Sequence, residues 1–306
     1  MEDELINILL PEKVEEDQRH EEEDYSTWLD YNGEYVPATD LKLAKSIPAG
    51  EYKVIYTNNS FRIIPVTVNT DELYEFSGSY TEIILKEISD FWNKSDIYKH
   101  HNIVHKRGIL LEGPPGNGKS AIVSLLAKHL IEQHNGLVFL INNYKDFDLT
   151  SDALVSFVRK IEPSRPIITI IEDIDKLIES QGGNDSELLD FMDGKMSIDH
   201  HLVVLISNNT SSLSSALLRP SRIDLRFVLN SPNDDIRREY FKLKGISENK
   251  LNDFVKSTSG FSFAELKETF IGTEVLGKPL KKVIAQIKEP FDNNDYLNGT
   301  NNKLGI

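Results

Sequence analysis

The 306-residue sequence contains no cysteine, which excludes disulfides and thiolate metal sites. No run approaches the roughly 18 uninterrupted apolar residues that announce a membrane-spanning helix. The N-terminal Met-Glu-Asp-Glu also lacks the basic start of a secretory signal. Together these absences lead to the expectation of a cytoplasmic protein with no membrane partner. Basic charge is scarce as well: 34 Lys and Arg face 49 Asp and Glu, a net charge of −15. A surface that tracks nucleic-acid phosphates should be basic, so the balance speaks against nucleic acid as a partner. The 8 histidines, with the adjacent pairs His100-His101 and His200-His201, do not have the spacing of a zinc shell.

The acidity is concentrated. Residues 1–30 carry 12 acidic side chains against Lys13 and Arg19, a local charge of −10, and read as a solvated acidic arm. Residues 31–78 are expected to form a small β-rich module, because 50–56 and 60–68 alternate or run β-branched around the turn Thr57-Asn58-Asn59. From 79 to 230 a helical stripe (Ile83, Ile84, Leu85, Ile88, Phe91, Trp92) is followed by short apolar strands alternating with helices. That alternation predicts an α/β unit with a parallel sheet covered on both faces. Residues 231–290 have no strand signal and predict a small helical domain, and Asn-rich 291–306 predicts a flexible tail.

One octapeptide carries chemistry. Gly113, Pro114, Pro115, Gly116, Asn117, Gly118, Lys119 and Ser120 complete the phosphate-loop pattern G-x-x-x-x-G-K-[ST], with Ala121 following. The glycines permit a tight turn whose N–H groups converge with no Cβ in the way. Lys119 supplies a point charge for β- and γ-phosphates, and the Ser120 hydroxyl a ligand for Mg²⁺. A strand at 108–112 and a helix from Lys119 would direct a helix N-terminus at the same anion. The nucleotide segment is therefore expected to be these nine residues, with ATP and Mg²⁺ as cofactors.

Such a loop needs a carboxylate at the end of a neighbouring strand. The run 167–171 ends in Glu172-Asp173-Ile174-Asp175. Glu172 is expected to hold Mg²⁺ with Ser120, Asp173 to orient or deprotonate the attacking water, and Asp175 to be structural or subunit-facing.

These stretches, with Leu188-Leu-Asp-Phe-Met-Asp-Gly194, Ser207-Asn208-Asn209, Ala216-Leu-Leu-Arg219-Pro-Ser-Arg222-Ile-Asp224 and Gly260-Phe-Ser-Phe-Ala-Glu-Leu266, resemble the AAA ATPases over about residues 80–290. The Glu-Asp order at 172–173 is similar to the branch that includes the mitochondrial Rieske-protein chaperone, without its membrane helix. The resemblance implies a P-loop NTPase fold: a parallel five-stranded sheet in the order 5-1-4-3-2, plus a C-terminal helical lid. It also implies a ring homo-oligomer, a hexamer, acting on a macromolecular client of protein class. Asn208, with Asn209 as the alternative register, matches the polar sensor of the γ-phosphate. Arg219 and Arg222 match arginine fingers reaching a neighbour's nucleotide, against the plainer reading of surface arginines paired to Asp224 or Glu239.

Three departures accompany the resemblance. The family has Gly where this chain has Ser221, the loop 142–147 lacks an aromatic-apolar-Gly grip, and no second sensor arginine stands in 261–266. Asp173, one methylene shorter than the usual Glu, leaves open a nucleotide-gated scaffold with little turnover. A DNA-directed loader or helicase is the other alternative.

Overall fold

A computed structural model of the chain describes residues 44–57, 60–67, 79–141, 147–193, 199–209 and 213–289, the strands 27–31 and 34–38, and residues 73, 74, 76 and 211. Most of the expected acidic arm, five residues of the 142–147 loop and the 291–306 tail lie outside the described residues.

Strands β1 (Thr27–Tyr31) and β2 (Glu34–Ala38) form a two-stranded antiparallel sheet. The larger sheet contains β3 (Gly50–Thr57), β4 (Ser60–Val66), β5 (Lys106–Glu112), β6 (Leu137–Ile141), β7 (Ile167–Ile171), β8 (His201–Ser207) and β9 (Leu225–Val228), in the order β4-β3-β6-β7-β8-β5-β9. Strands β5 to β9 are parallel and run 5-1-4-3-2 when numbered from β5, as the resemblance implied. The sheet is larger than five strands, however. The hairpin β3–β4, expected in a separate module, adds to its edge: β3 pairs in parallel with β6, and Gly50 N–H donates to Gly136 O at 3.3 Å. Alternation along β3 explains why. Tyr52 and Val54 point into the core, where the Tyr52 ring meets Phe139 at 6.2 Å, while Lys53 is exposed.

Strands β7 and β8 are buried along their whole length, so both sheet faces must be covered. The same alternation sends Leu110, Val203 and Leu205 to one apolar layer and Ile109, Leu111, Val204 and Ile206 to the other. The second layer is closed by α1 (Tyr80–Asn93), through Ile84, Ile88, Phe91 and Trp92, by Tyr98 of α2 (Ser95–His100), and by α3 (Lys119–His134). The first is closed by α4 (Phe147–Ile161), α5 (Ile174–Ser180) and α6 (Ser186–Asp193).

Beyond β9 the chain is helical: α7 (Asp234–Leu243), α8 (Glu248–Ser257), α9 (Phe263–Phe270), a π-helical turn Ile271–Val275, and α10 (Leu280–Lys288). Their core is aromatic, built on Tyr240, Phe241, Phe254 and Phe261, and Phe76 from the segment preceding α1 inserts into it. Asn233 caps α7, and a reciprocal Ser262–Glu265 capping box fixes the start of α9.

Gly108 is where β5 meets the arginine-bearing loop before β9. A Cβ there would stand 1.7 Å from Arg222 O, and Gly108 exchanges hydrogen bonds with Asp224 through both its N–H and its C=O. Gly108→Ala is therefore expected to destabilise the fold by about 1–3 kcal/mol, measured by urea unfolding.

A second expectation concerns pH. His201 is fully buried on β8, its Nε2 2.9 Å from Thr169 Oγ1, and burial holds its pKa well below 6.5. Burial likewise lowers His105. Folding therefore disfavours the protonated form of both, whereas the unfolded chain takes up protons as pH falls through 6.5. Stability is thus complete above that pH and declines below it. Urea midpoints at pH 7.5 and 5.5 should differ in that direction, and less so for His201→Gln.

Candidate active site

The phosphate loop follows β5 directly. Gly113, Gly116 and Gly118 adopt φ of +143°, +79° and +87°, and a Cβ at Gly113 would collide with Leu229 O at 2.2 Å. These are positions a side chain enters only with strain. Lys119 opens α3, and its Nζ donates to Gly113 O at 2.6 Å and Pro114 O at 2.9 Å. It is buried, and desolvation lowers its pKa, opposed by the charges of Asp173 and Asp175. Asn117 donates through Nδ2 to Leu229 O at 3.2 Å, clipping the loop to the end of β9.

Glu172 and Asp173 leave β7 beside this loop. A cavity of about 410 Å³ is lined by Lys119, Ser120, Glu172, Asp173 and Asn208, together with loop residues Pro115, Gly116 and Gly118. Burial, and secondarily the adjacent Asp173, raises the Glu172 pKa, so a cation in the cavity would relieve two carboxylates placed side by side. Asn208 Nδ2 donates to Asp173 Oδ1 at 3.1 Å. Asn209 Oδ1 instead turns back to accept from Ser211 N–H at 3.0 Å. Asp175 ties the two strand ends together, accepting from Ser207 Oγ at 3.3 Å and Asn208 N–H at 3.4 Å.

The arginines separate. Arg222 is engaged within the chain: Nε and Nη2 donate to Asp193 at 2.6 and 2.5 Å, and Nη1 donates to Ala216 O at 2.6 Å. This hydrogen-bonded pair raises the Arg222 pKa and lowers that of Asp193. The fork of Arg222 is thus filled within the chain by Asp193 and Ala216, where the plainer expectation had been Asp224 or Glu239. The Arg219 side chain is exposed and has no hydrogen bond or ion pair among the described residues. Between them Ser221 takes φ +74°, a left-handed conformation that glycine would enter without strain.

Sequence reasoning missed half of the cleft. A second cavity, about 610 Å³, adjoins the first through Gly118, Ala121 and Phe263, and is walled by Tyr74, Phe76 and Tyr240. Phe76 and Phe263 stack at 5.4 Å and 16°, and Lys244 Nζ lies 5.2 Å over the Tyr74 ring. The start of α9 rests on the loop itself, with Ala264 N–H donating to Gly116 O at 3.2 Å. Phe263 was visible only as part of the lid motif, and nothing in the sequence signals that residues 74 and 76 meet residues 240 and 263.

Residues 109–231 match the ATPase family associated with various cellular activities (AAA). Curated relatives include the ATP-dependent zinc metalloprotease FtsH 3 of Phytoplasma mali, 29% identical over 73% of this chain and 38% of that protein. The probable mitochondrial chaperone bcs1 of Schizosaccharomyces pombe is 26% identical over 62% of this chain and 44% of its own length. The vesicle-fusing ATPase of Dictyostelium discoideum is 26% identical over 59% of this chain and 27% of its length. The chain thus spans less than half the length of each of these relatives. Among the described residues, no group of three or more His, Cys, Asp or Glu could hold a metal ion, and no helix is long and apolar enough to cross a membrane. From strand order, phosphate loop and family match together, the chain carries a domain of the AAA ATPase family at residues 109–231.

Proposed function

We propose that this chain hydrolyses ATP and couples the turnover to remodelling a macromolecular client of protein class. The supporting observation is the double cleft: Lys119, Ser120, Glu172, Asp173 and Asn208 line one cavity, which opens through Gly118, Ala121 and Phe263 into an aromatic one. The first fits a triphosphate, the second a base and ribose. Gly116, Asn117 and Gly118 present backbone N–H groups to the phosphates, α3 adds its N-terminal dipole, and Lys119 exchanges its carbonyl partners for phosphate oxygens. The Ser120 hydroxyl and the Glu172 carboxylate are oxygen donors that would hold Mg²⁺, which when bound would supply positive charge to the transferring group. Asp173 takes the proton of the attacking water and Asn208 holds that water in line. Tyr74, Phe76 and Phe263 supply faces on which a purine can stack.

Arg219 is then the finger offered to a neighbouring subunit's γ-phosphate in a ring of six, while Arg222 braces the loop that presents it. A protein client accords with the net charge of −15, which leaves little basic surface for DNA. The absence of cysteine accords with a reducing, cytoplasmic setting.

Lys119→Ala is expected to abolish binding of a fluorescent ATP analogue. Asp173→Asn should bind it normally while phosphate release falls by about 10²–10⁴-fold, the usual worth of a general base. Wild-type phosphate release from Asp173→Asn would reject the assignment, and slow release from the wild type itself would favour the scaffold reading. Arg219→Ala should retain affinity but lose about 10³-fold in turnover, whereas Arg222→Ala should chiefly lower thermal stability. For Phe263→Ala, ATP affinity should weaken by about 1–3 kcal/mol, read from the same titration.

A further inference from the structure

Asp173 is held by more than its place at the end of β7. Its backbone sits at φ +49° and ψ +47°, a left-handed conformation that a residue with a Cβ enters at a cost. Both carboxylate oxygens are engaged: Oδ1 accepts from Asn208 Nδ2 at 3.1 Å, and Oδ2 accepts from Lys176 Nζ at 2.6 Å. Lys176 follows three residues later on the first turn of α5, where helical geometry returns i+3 beside i. It lines neither cavity, so its ammonium approaches the carboxylate from outside the cleft. The two contacts together fix the rotation of the carboxylate, and a charge-assisted bond this short is the stronger of them.

We propose that Lys176 is a latch on Asp173: the ion pair holds one carboxylate oxygen toward α5, and it must open before that carboxylate is free to turn to the attacking water. This rests on Asp173 being the base for ATP hydrolysis. Lys176 touches no phosphate in this scheme and is a positioning residue, one that keeps basal turnover low. Its side chain is 61% exposed and that of Asp173 31%, so the latch is weak and readily released. Glu172, one residue earlier, lines the cavity.

The test compares the wild type with Lys176→Met, Lys176→Arg and Asp173→Asn, measuring kcat and KM by phosphate release and affinity with a fluorescent ATP analogue. Lys176→Met should raise kcat about two- to fivefold, the effect of releasing one solvent-facing ion pair, with KM and affinity unchanged. Lys176→Arg should return kcat to the wild-type value, because a guanidinium can reach the same oxygen. Equal or lower kcat in Lys176→Met beside an inactive Asp173→Asn would overturn the latch while leaving the base in place. A Lys176→Arg rate as high as that of Lys176→Met would also overturn it. An Asp173→Asn variant as active as the wild type would remove the underlying reading, and the latch with it.

Discussion

Parallel hydrogen bonding of β5 and β7 to the two sides of β8 is the constraint on which the site depends. In that register Glu112 lies opposite Ser207, and Ile171 lies opposite Leu205. The next residues of each chain segment, the phosphate loop, Glu172 and Asp173, and Asn208, therefore emerge at one edge of the sheet. Asp175 then sews the ends of β7 and β8 together through Ser207 and Asn208. A parallel sheet places all its C-terminal strand ends on the same side, so an anion site assembled there draws on several strands distant in sequence.

The lid completes what the sheet begins. Its aromatic core reaches out to Tyr74 and Phe76, which precede α1, so the wall of the larger cavity is shared between the α/β unit's entry segment and the helices. Because Ala264 N–H binds Gly116 O and Phe263 lies 3.7 Å from where a Gly118 Cβ would be, motion of the lid cannot be independent of the phosphate loop.

Much of this was legible in the residues. The phosphate loop, the acids ending the 167–171 run and the strand–helix alternation are local patterns, since each depends on neighbours within a few positions. The hairpin's destination was not: its alternation predicts strands, but pairing to β6 depends on Tyr52 and Val54 finding Phe139 and its neighbours far along the chain. The two arginines, equivalent three apart in sequence, were also indistinguishable there. What separates them is Asp193, 29 residues away on α6, which occupies one fork and leaves the other exposed.

The sequence by itself determined the chemistry: which backbone can wrap a phosphate, which acids follow a buried strand, and an acidic balance that disfavours nucleic acid. Those follow from side-chain type and short-range spacing. Tertiary structure alone decided that Asn208 and not Asn209 faces Asp173, that Arg222 is tied down while Arg219 is not, and that five rings from three chain segments wall the larger cavity. Each of those outcomes turns on the direction of a side chain relative to a distant partner, and only packing sets that direction.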